Sequence, residues 1–340
     1  MKDSDSFSPI RHLIYPGNIL LVDGLTGTGK TMIMRIVSGL ENTYFPKFDY
    51  TLEHICVLHF MGQIDLDTAI ALIRLRVDQT RYDQELSREV NFRIKDLSSV
   101  LRSPNRHHYL LNLFKSDLEL SKLENEPKTL SLITHQLLDS SKILDSAYPD
   151  KIYRILCVRH PLYLYNHWNS YIALHTKSVR DLTLWFGNQS MLVPWFINHD
   201  KSSYYSSDNN SKSALAIATL VNQTMDFTSW NREKTIVIDF ENFVLEPEPY
   251  ITRIVNLFPG SSSKILKLLK KENVPRIHIN KSIKNKIYTK YHSNKLKTNE
   301  THENHYNKLK DEIFSSINSE AKELLKVSIE RYENTFGLWF

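Results

Sequence analysis

The sequence predicts an α/β protein built on an open parallel sheet of about five strands flanked by helices. Three observations predict it. Five short runs rich in Ile, Val and Leu are apolar throughout instead of alternating: "NILLVD" (18–23), "HICVLHF" (54–60), "TLSLIT" (129–134), "YRILCV" (153–158) and "TIVIDF" (235–240). Strands read this way when helices cover both faces of their sheet. Helical apolar spacing lies between or after them, at Thr31–Leu40, Asp65–Arg76, Gln136–Leu144, Leu162–Leu174 and Ser213–Phe227. The repeated strand–helix order implies right-handed crossovers. Ligands of such sheets sit past the C-terminal ends of the strands, so functional residues are sought there.

The remaining segments fit one domain over residues 1–340, with no low-complexity linker and no internal repeat. Residues 62–128 are mostly polar with helical spacing and read as a helical insertion or cap. Residues 303–340 read as one or two amphipathic helices ending in an aromatic anchor. The N-terminus "MKDSDSFSPIRH" lacks the layout of a signal peptide, and no apolar run is long enough to span a bilayer. Cys56 and Cys157 sit in apolar, strand-like runs and read as reduced core thiols, with neither a disulfide framework nor zinc spacing. A cytoplasmic location is therefore expected, and sequons such as Asn188-Gln189-Ser190 carry little weight.

A net charge of +5 suits an anionic ligand and gives little support for nucleic acid. The Lys-rich stretch "KKENVPRIHINKSIKNKIYTKYHSNKLK" (270–297) reads first as a solvated surface segment. A ligand-facing basic flap over 276–297 is the alternative.

The first strand runs into Gly24-Leu25-Thr26-Gly27-Thr28-Gly29-Lys30-Thr31, which satisfies G-x-x-x-x-G-K-[ST] between a strand and a helix. The glycines let successive amides turn toward a phosphate, and the following helix adds partial positive charge. Lys30 is expected to neutralise phosphate oxygens. The Thr31 hydroxyl is expected to bond an oxygen or hold Mg²⁺. Taken alone, this P-loop implies ATP or GTP.

Two further strand ends carry candidate residues. One closes in Thr134-His135 and the next in Arg159-His160-Pro161, where proline stops the strand and can open a helix. Both ends share a rim with the glycine loop. An arginine in that position calls for an anion partner. A histidine there can act as a general base, against the commoner structural role.

With these motifs in order, the chain resembles the P-loop sulfotransferases, enzymes that use 3′-phosphoadenosine-5′-phosphosulfate (PAPS). "CVRHP" is similar to the family's V-R-x-P strand end, whose arginine, here Arg159, would hold the donor's 3′-phosphate. Thr134-His135 is similar to the T-H pair that carries the catalytic base. "VIDFENFVLEPEPYITRIVNLF", with Glu241, Asn242 and Pro247, looks like the family's E-D/N-L/F-x-x-x-P element, and "YENTFGLWF" like the end of many carbohydrate sulfotransferases. The resemblance spans about 18–259 and the C-terminus. The chain departs from the family in its intact Walker lysine. It also has His167 where a serine usually supplies a second 3′-phosphate ligand; His167 itself or Ser170, one turn on, could substitute. No clear R-K-G segment is present.

The resemblance implies sulfuryl transfer from PAPS to a small-molecule or saccharide hydroxyl, with 3′-phosphoadenosine-5′-phosphate (PAP) as product. His135 would be the general base, and Lys30 would support the leaving oxygen. The loop (Gly24, Thr26, Gly27, Thr28, Gly29, Lys30, Thr31) would bind the donor, with Arg159 and His167 or Ser170, and no metal. Trp185 and Trp195 line an expected acceptor pocket or pack in the core. Glu241 reads as an orienting residue. The competing reading is an ATP- and Mg²⁺-dependent small-molecule kinase, with Thr31 and Asp239 on the metal. A non-catalytic nucleotide-binding regulator is the third. Neither a nucleic-acid partner nor stable membrane insertion is expected.

Overall fold

The computed structural model describes residues 8–96, 98–115, 128–179, 181–188, 190–197, 200–228, 231–258, 262–279 and 301–340. Strand β1 (Ile19–Gly24) leads through α1 (Lys30–Val37) to β2 (Lys47–Phe48). Helices α2 (Tyr50–Phe60), α3 (Leu66–Glu85) and α4 (Arg106–Asn112) precede β3 (Leu130–Ile133). Then come α5 (Ile143–Ala147), β4 (Ile152–Val158) and α6 (Pro161–Ile172). A short antiparallel pair, β5 (Trp185–Gly187) and β6 (Leu192–Pro194), is followed by α7 (Lys201–Ser206), α8 (Asn209–Phe227) and β7 (Thr235–Asp239). Helices α9 (Phe240–Leu245), α10 (Glu248–Leu257), α11 (Ser262–Lys271), α12 (His302–Ser316) and α13 (Ser319–Phe336) complete the order.

The main sheet has the order β2-β3-β1-β4-β7, and every neighbouring pair is parallel. Along β1 the side chains alternate between two cores. Ile19 and Leu21 pack with Leu162, Leu164 and Trp168 of α6, while Leu20 and Val22 pack with Ile33, Ile36 and Val37 of α1. Both faces are therefore dry, as the continuous apolar runs predict. Helices α1 and α6 follow adjacent strands yet cover opposite faces. The C-terminal ends of β1 and β4 thus flank a topological switch point, where a crevice opens.

Two expected elements differ. "HICVLHF" (54–60) is helical, part of α2, and the second strand is the short Lys47–Phe48. An apolar run of that length fits either state. Asp49 decides for the helix: its side chain accepts the Leu52 amide at 3.0 Å as an N-cap. Cys56 is therefore a buried helical residue and Cys157 a buried strand residue. The helix expected over Gln136–Leu144 is a tight turn, a 3₁₀ segment at Leu138–Lys142 and the start of α5. Gln136 and Leu138 hold φ of 46° and 44°, and the Asp23 carboxylate fixes that turn.

Within 62–128, α3 packs its Ala69, Ile73 and Val77 into the core that holds Leu130 and Leu132. Residues 116–127 lie outside the described residues, as does the basic stretch from 280 onward. Arg276 at its start is described. Helices α12 and α13 bury Tyr306, Ile313, Leu325 and Tyr332 in the same core as α6. Among the described residues no helix is long and apolar enough to cross a membrane.

Candidate functional site

The glycine loop follows β1 at the switch point, beside the end of β4. Gly24 is paired with Cys157 at the end of β1 and β4. Gly29 opens α1 at φ 91°, and a Cβ there would come within 2.6 Å of the Phe240 ring. The loop's carbonyls are tied to the protein. Lys30 Nζ donates to Gly24 O, and also to Leu25 O at 2.9 Å. The Gln136 amide reaches Gly24 O at 3.0 Å and Trp168 Nε1 reaches Thr26 O at 2.9 Å. Arg159 Nη1 donates to Gly27 O at 2.9 Å. In contrast, the amides of Gly27, Gly29, Lys30 and Thr31 donate to no protein group among the described residues. Carbonyls fixed and amides spare is the arrangement that receives an anion at a helix start. Lys30 is buried, which pushes its pKa down to about 8, with Asp23 the main opposing charge.

His135 follows β3 on the same rim. Thr134 Oγ1 donates to Asp23 Oδ1 at 2.9 Å, and the amides of Leu137 and Leu138 donate to the same carboxylate. Asp23 thus ties the turn that carries His135 to the strand that carries the loop. The imidazole lies nearly parallel to Phe48 and Tyr50, with centroids 5.4 and 5.3 Å away. Its Nδ1 is 2.9 Å from Glu53 Oε1. Burial, reinforced by the Lys30 charge, pushes its pKa down to about 3, so the ring is neutral at pH 7. Burial also raises the Glu53 carboxyl well above the usual carboxylate range, with Asp23 adding to the shift and Lys30 opposing it.

A cleft of about 150 Å³ opens beside these groups. Thr26 of the loop, His135 and Glu53 line it, with Tyr50, Tyr171 and Trp195 as aromatic walls. Trp185 does not line the cleft. It packs on His175 with ring centroids 5.0 Å apart and donates Nε1 to Asp181 Oδ2 at 3.0 Å.

Arg159 stands directly after β4. Besides reaching Gly27 O, its Nε lies 3.6 Å from Glu241 Oε1, and its guanidinium covers the Phe240 ring with Cζ 4.5 Å from the centroid. Glu241 Oε2 accepts from the His160 amide at 3.3 Å and from Tyr332 OH at 2.9 Å. Burial lowers the arginine's pKa and raises the glutamate's, and each is the main charge opposing the other's shift. Glu241 is therefore a buried ion-pair partner of Arg159, its Oε1 just outside hydrogen-bond distance of Nε. The Arg276 guanidinium also lies over Phe240, 5.6 Å from the centroid, so two cations share one ring beside the loop.

The other candidates are placed as follows. His167 on α6 packs against the loop, where a Cβ on Gly27 would meet its Cδ2 at 3.2 Å. Ser170 turns its hydroxyl to Asn166 O of its own helix at 3.1 Å. Asp239 ends β7, two strands from β1, and its Oδ1 accepts from Tyr250 OH. Thr31 is half-buried, and its hydroxyl has no protein partner among the described residues. Glu53, Asp23 and Trp168 are the site residues that sequence reasoning missed. Glu53 sits one residue ahead of the run read as a strand. The aspartate before Gly24 offered a signal, because a charged residue closing a fully apolar strand needs polar partners.

No protein-family model matches the chain, and no curated protein matches it at a significant level. Among solved structures, the chain is similar to the sulfotransferase domain of the Synechococcus PCC 7002 olefin synthase, at 12% identity, 90% of this chain, 98% of that one and a TM-score of 0.40. It is also similar to the sulfotransferase domain from the curacin biosynthetic pathway, at 10% identity, 89% and 98% coverage and a TM-score of 0.37. The sulfotransferase STF1 from Mycobacterium tuberculosis H37Rv matches at 13% identity, 75% and 71% coverage and a TM-score of 0.34. Likenesses this loose give no residue-level correspondence, and the strand order, register and site contacts stand on the chain's own geometry.

Proposed function

We propose that this chain is a sulfotransferase that moves a sulfuryl group from PAPS to a hydroxyl acceptor, a small molecule or a saccharide. The observation that carries the reading is the single cleft bounded by both the phosphate-type loop, through Thr26, and the buried neutral imidazole of His135. A donor anchored on the loop and an acceptor in the cleft would meet at that boundary. PAPS supplies the sulfuryl group and a phosphate leaving group. The spare amides of Gly27, Gly29, Lys30 and Thr31 fit its 5′-phosphosulfate. Arg159 fits the 3′-phosphate, with His167 beside the loop as a second donor. Lys30 stabilises negative charge that develops on the leaving oxygen. Nε2 of His135 takes the acceptor's hydroxyl proton. Tyr50, Tyr171 and Trp195 suit the apolar face of a ring-bearing acceptor.

The complete G-x-x-x-x-G-K-T sequence and the unengaged hydroxyl of Thr31 favour a second reading, the ATP- and Mg²⁺-dependent kinase. Asp239 weakens it. The carboxylate is held by Tyr250, on a strand roughly 10 Å across the sheet from β1.

A thermal-shift series separates the two. PAP without metal should raise the melting temperature, and Arg159→Ala should remove most of that shift, because ligand binding to the folded state stabilises by mass action. A shift with ATP and Mg²⁺ alone, and none with PAP, would replace the sulfotransferase reading by the kinase.

A further inference from the structure

Glu53 is buried in the first turn of α2, where a carboxylate suits the helix dipole, but the dipole does not account for its burial against a histidine from another element. Asp49, not Glu53, caps the helix. Glu53 has no Lys or Arg partner among the described ion pairs, and the side chain it hydrogen-bonds is that of His135 at Nδ1, 82 residues away in sequence. A carboxylate is costly to bury unless something requires it. The imidazole it meets cannot rotate freely, because Phe48 and Tyr50 lie parallel to its plane. With Nδ1 engaged, Nε2 is the ring nitrogen left for the cleft, and it has no protein partner among the described residues.

We infer that Glu53 is a positioning residue for His135: its carboxylate accepts the Nδ1 proton, fixes the tautomer whose Nε2 lone pair faces the cleft, and balances the imidazolium formed during transfer. The inference rests on the sulfotransferase reading for its chemistry but not for its geometry. In the step concerned, the acceptor's O–H bond breaks and its proton passes to Nε2. The acceptor oxygen bonds to sulfur, and the bond from sulfur to the 5′-phosphate oxygen breaks with its electron pair leaving on that oxygen. The imidazolium then holds one proton on each nitrogen, and Glu53 supplies the opposing charge. Against the burial that raises its pKa, Lys30 is the main charge favouring an ionised Glu53 in the resting pair, with His54 and the His135 backbone adding to it. A Glu53 that kept its own proton would donate it to Nδ1, put the ring's hydrogen on Nε2 and remove the base. The ionised carboxylate is therefore the competent state, and activity should rise with pH as Glu53 loses its proton.

The test compares Glu53→Gln, Glu53→Ala and Glu53→Asp in the full-length protein. A glutamine amide can donate to Nδ1 and lock the wrong tautomer; alanine leaves both tautomers open. Positioning predicts that kcat falls at least tenfold in Glu53→Ala and further, by on the order of a thousandfold, in Glu53→Gln. The KM for PAPS should stay within about twofold, because Glu53 lies on the acceptor side, and Glu53→Asp should recover part of kcat. A merely structural Glu53 predicts the reverse order, with the isosteric glutamine mildest, and that result would overturn the inference. A second arm needs no turnover. Nitrogen-15 NMR of labelled histidine, with the His135 signal identified by its loss in His135→Ala, should show Nδ1–H in the wild type and Nε2–H in Glu53→Gln. Nε2–H in the wild type at pH 8 would also overturn it. If this tautomer pattern is found but PAP gives no thermal shift, the positioning stands and the sulfotransferase reading falls.

Discussion

At the scale of single residues, burial decides which groups hold or shed protons. His175 is 6% exposed, wedged against Tyr171 and Trp185, and neither ring nitrogen has a protein partner among the described residues. Burial pushes its pKa down to about 4, against some support for the charged form from Asp181. The unfolded chain then binds a proton near pH 6.5 that the native state refuses until about pH 4. The sign follows: this contribution is fully present above pH 6.5 and is lost as the pH falls toward 4. Between pH 7 and pH 5 it should cost about 1–2 kcal/mol of stability. Urea unfolding at the two pH values should show at least that loss in the wild type, and His175→Phe should reduce the difference by about that amount. An unchanged pH dependence in the variant would locate the acid sensitivity elsewhere. His135 is neutral at pH 7 for the same physical reason, but unlike His175 it borders a cleft and meets a carboxylate.

At the scale of elements, one aspartate sets where α2 begins, and α2 carries Glu53 to the cleft. Asp49 caps the helix, accepts Arg76 Nε at 3.0 and 2.9 Å on its two oxygens, and accepts Thr80 Oγ1 at 3.1 Å. Removing it deletes a cap and leaves a largely buried guanidinium without its main partner. Asp49→Ala should lower stability by about 3 kcal/mol. It should also lower kcat more than it raises the KM for PAPS, since the loop is held by other groups. A stability loss below about 0.5 kcal/mol, within the range of ordinary surface changes, would contradict this role.

At the scale of the whole molecule, the C-terminal helices pack behind Arg159 and the glycine loop. Tyr332 of α13 donates to Glu241, which faces Arg159, which in turn reaches Gly27 O of the loop. Alongside it, Glu333 accepts from Tyr306 OH at 2.5 Å and lies 3.2 Å from His160 Nε2, while Asn242 Nδ2 donates to Phe336 O at 3.2 Å. The last helix thus supports the arginine through one buried carboxylate. Tyr332→Phe removes one donor from Glu241 and should cost about 1–2 kcal/mol. Its PAP-induced thermal shift should be smaller than that of the wild type, with kcat at saturating PAPS nearly unchanged. An undiminished shift would show that Arg159 needs no support from the C-terminus.

Local chemistry determined much of this protein before any folding was considered. The continuous apolar runs at 18–23, 129–134, 153–158 and 235–240 required strands covered on both faces, and Gly24–Thr31 required a glycine-rich turn between a strand and a helix. The strand ends put His135 and Arg159 on one rim, because all four of those strands run the same way. Tertiary structure alone decided the rest. Asp49, the local cap of the helix over 54–60, is itself anchored by Arg76, 27 residues along the chain. Glu53 met His135 across 82 residues, and Tyr332 met Glu241 across 91. Periodicity records which face of an element is apolar. Which polar groups end up facing one another is set only when separate elements pack and each buried charge must find a partner.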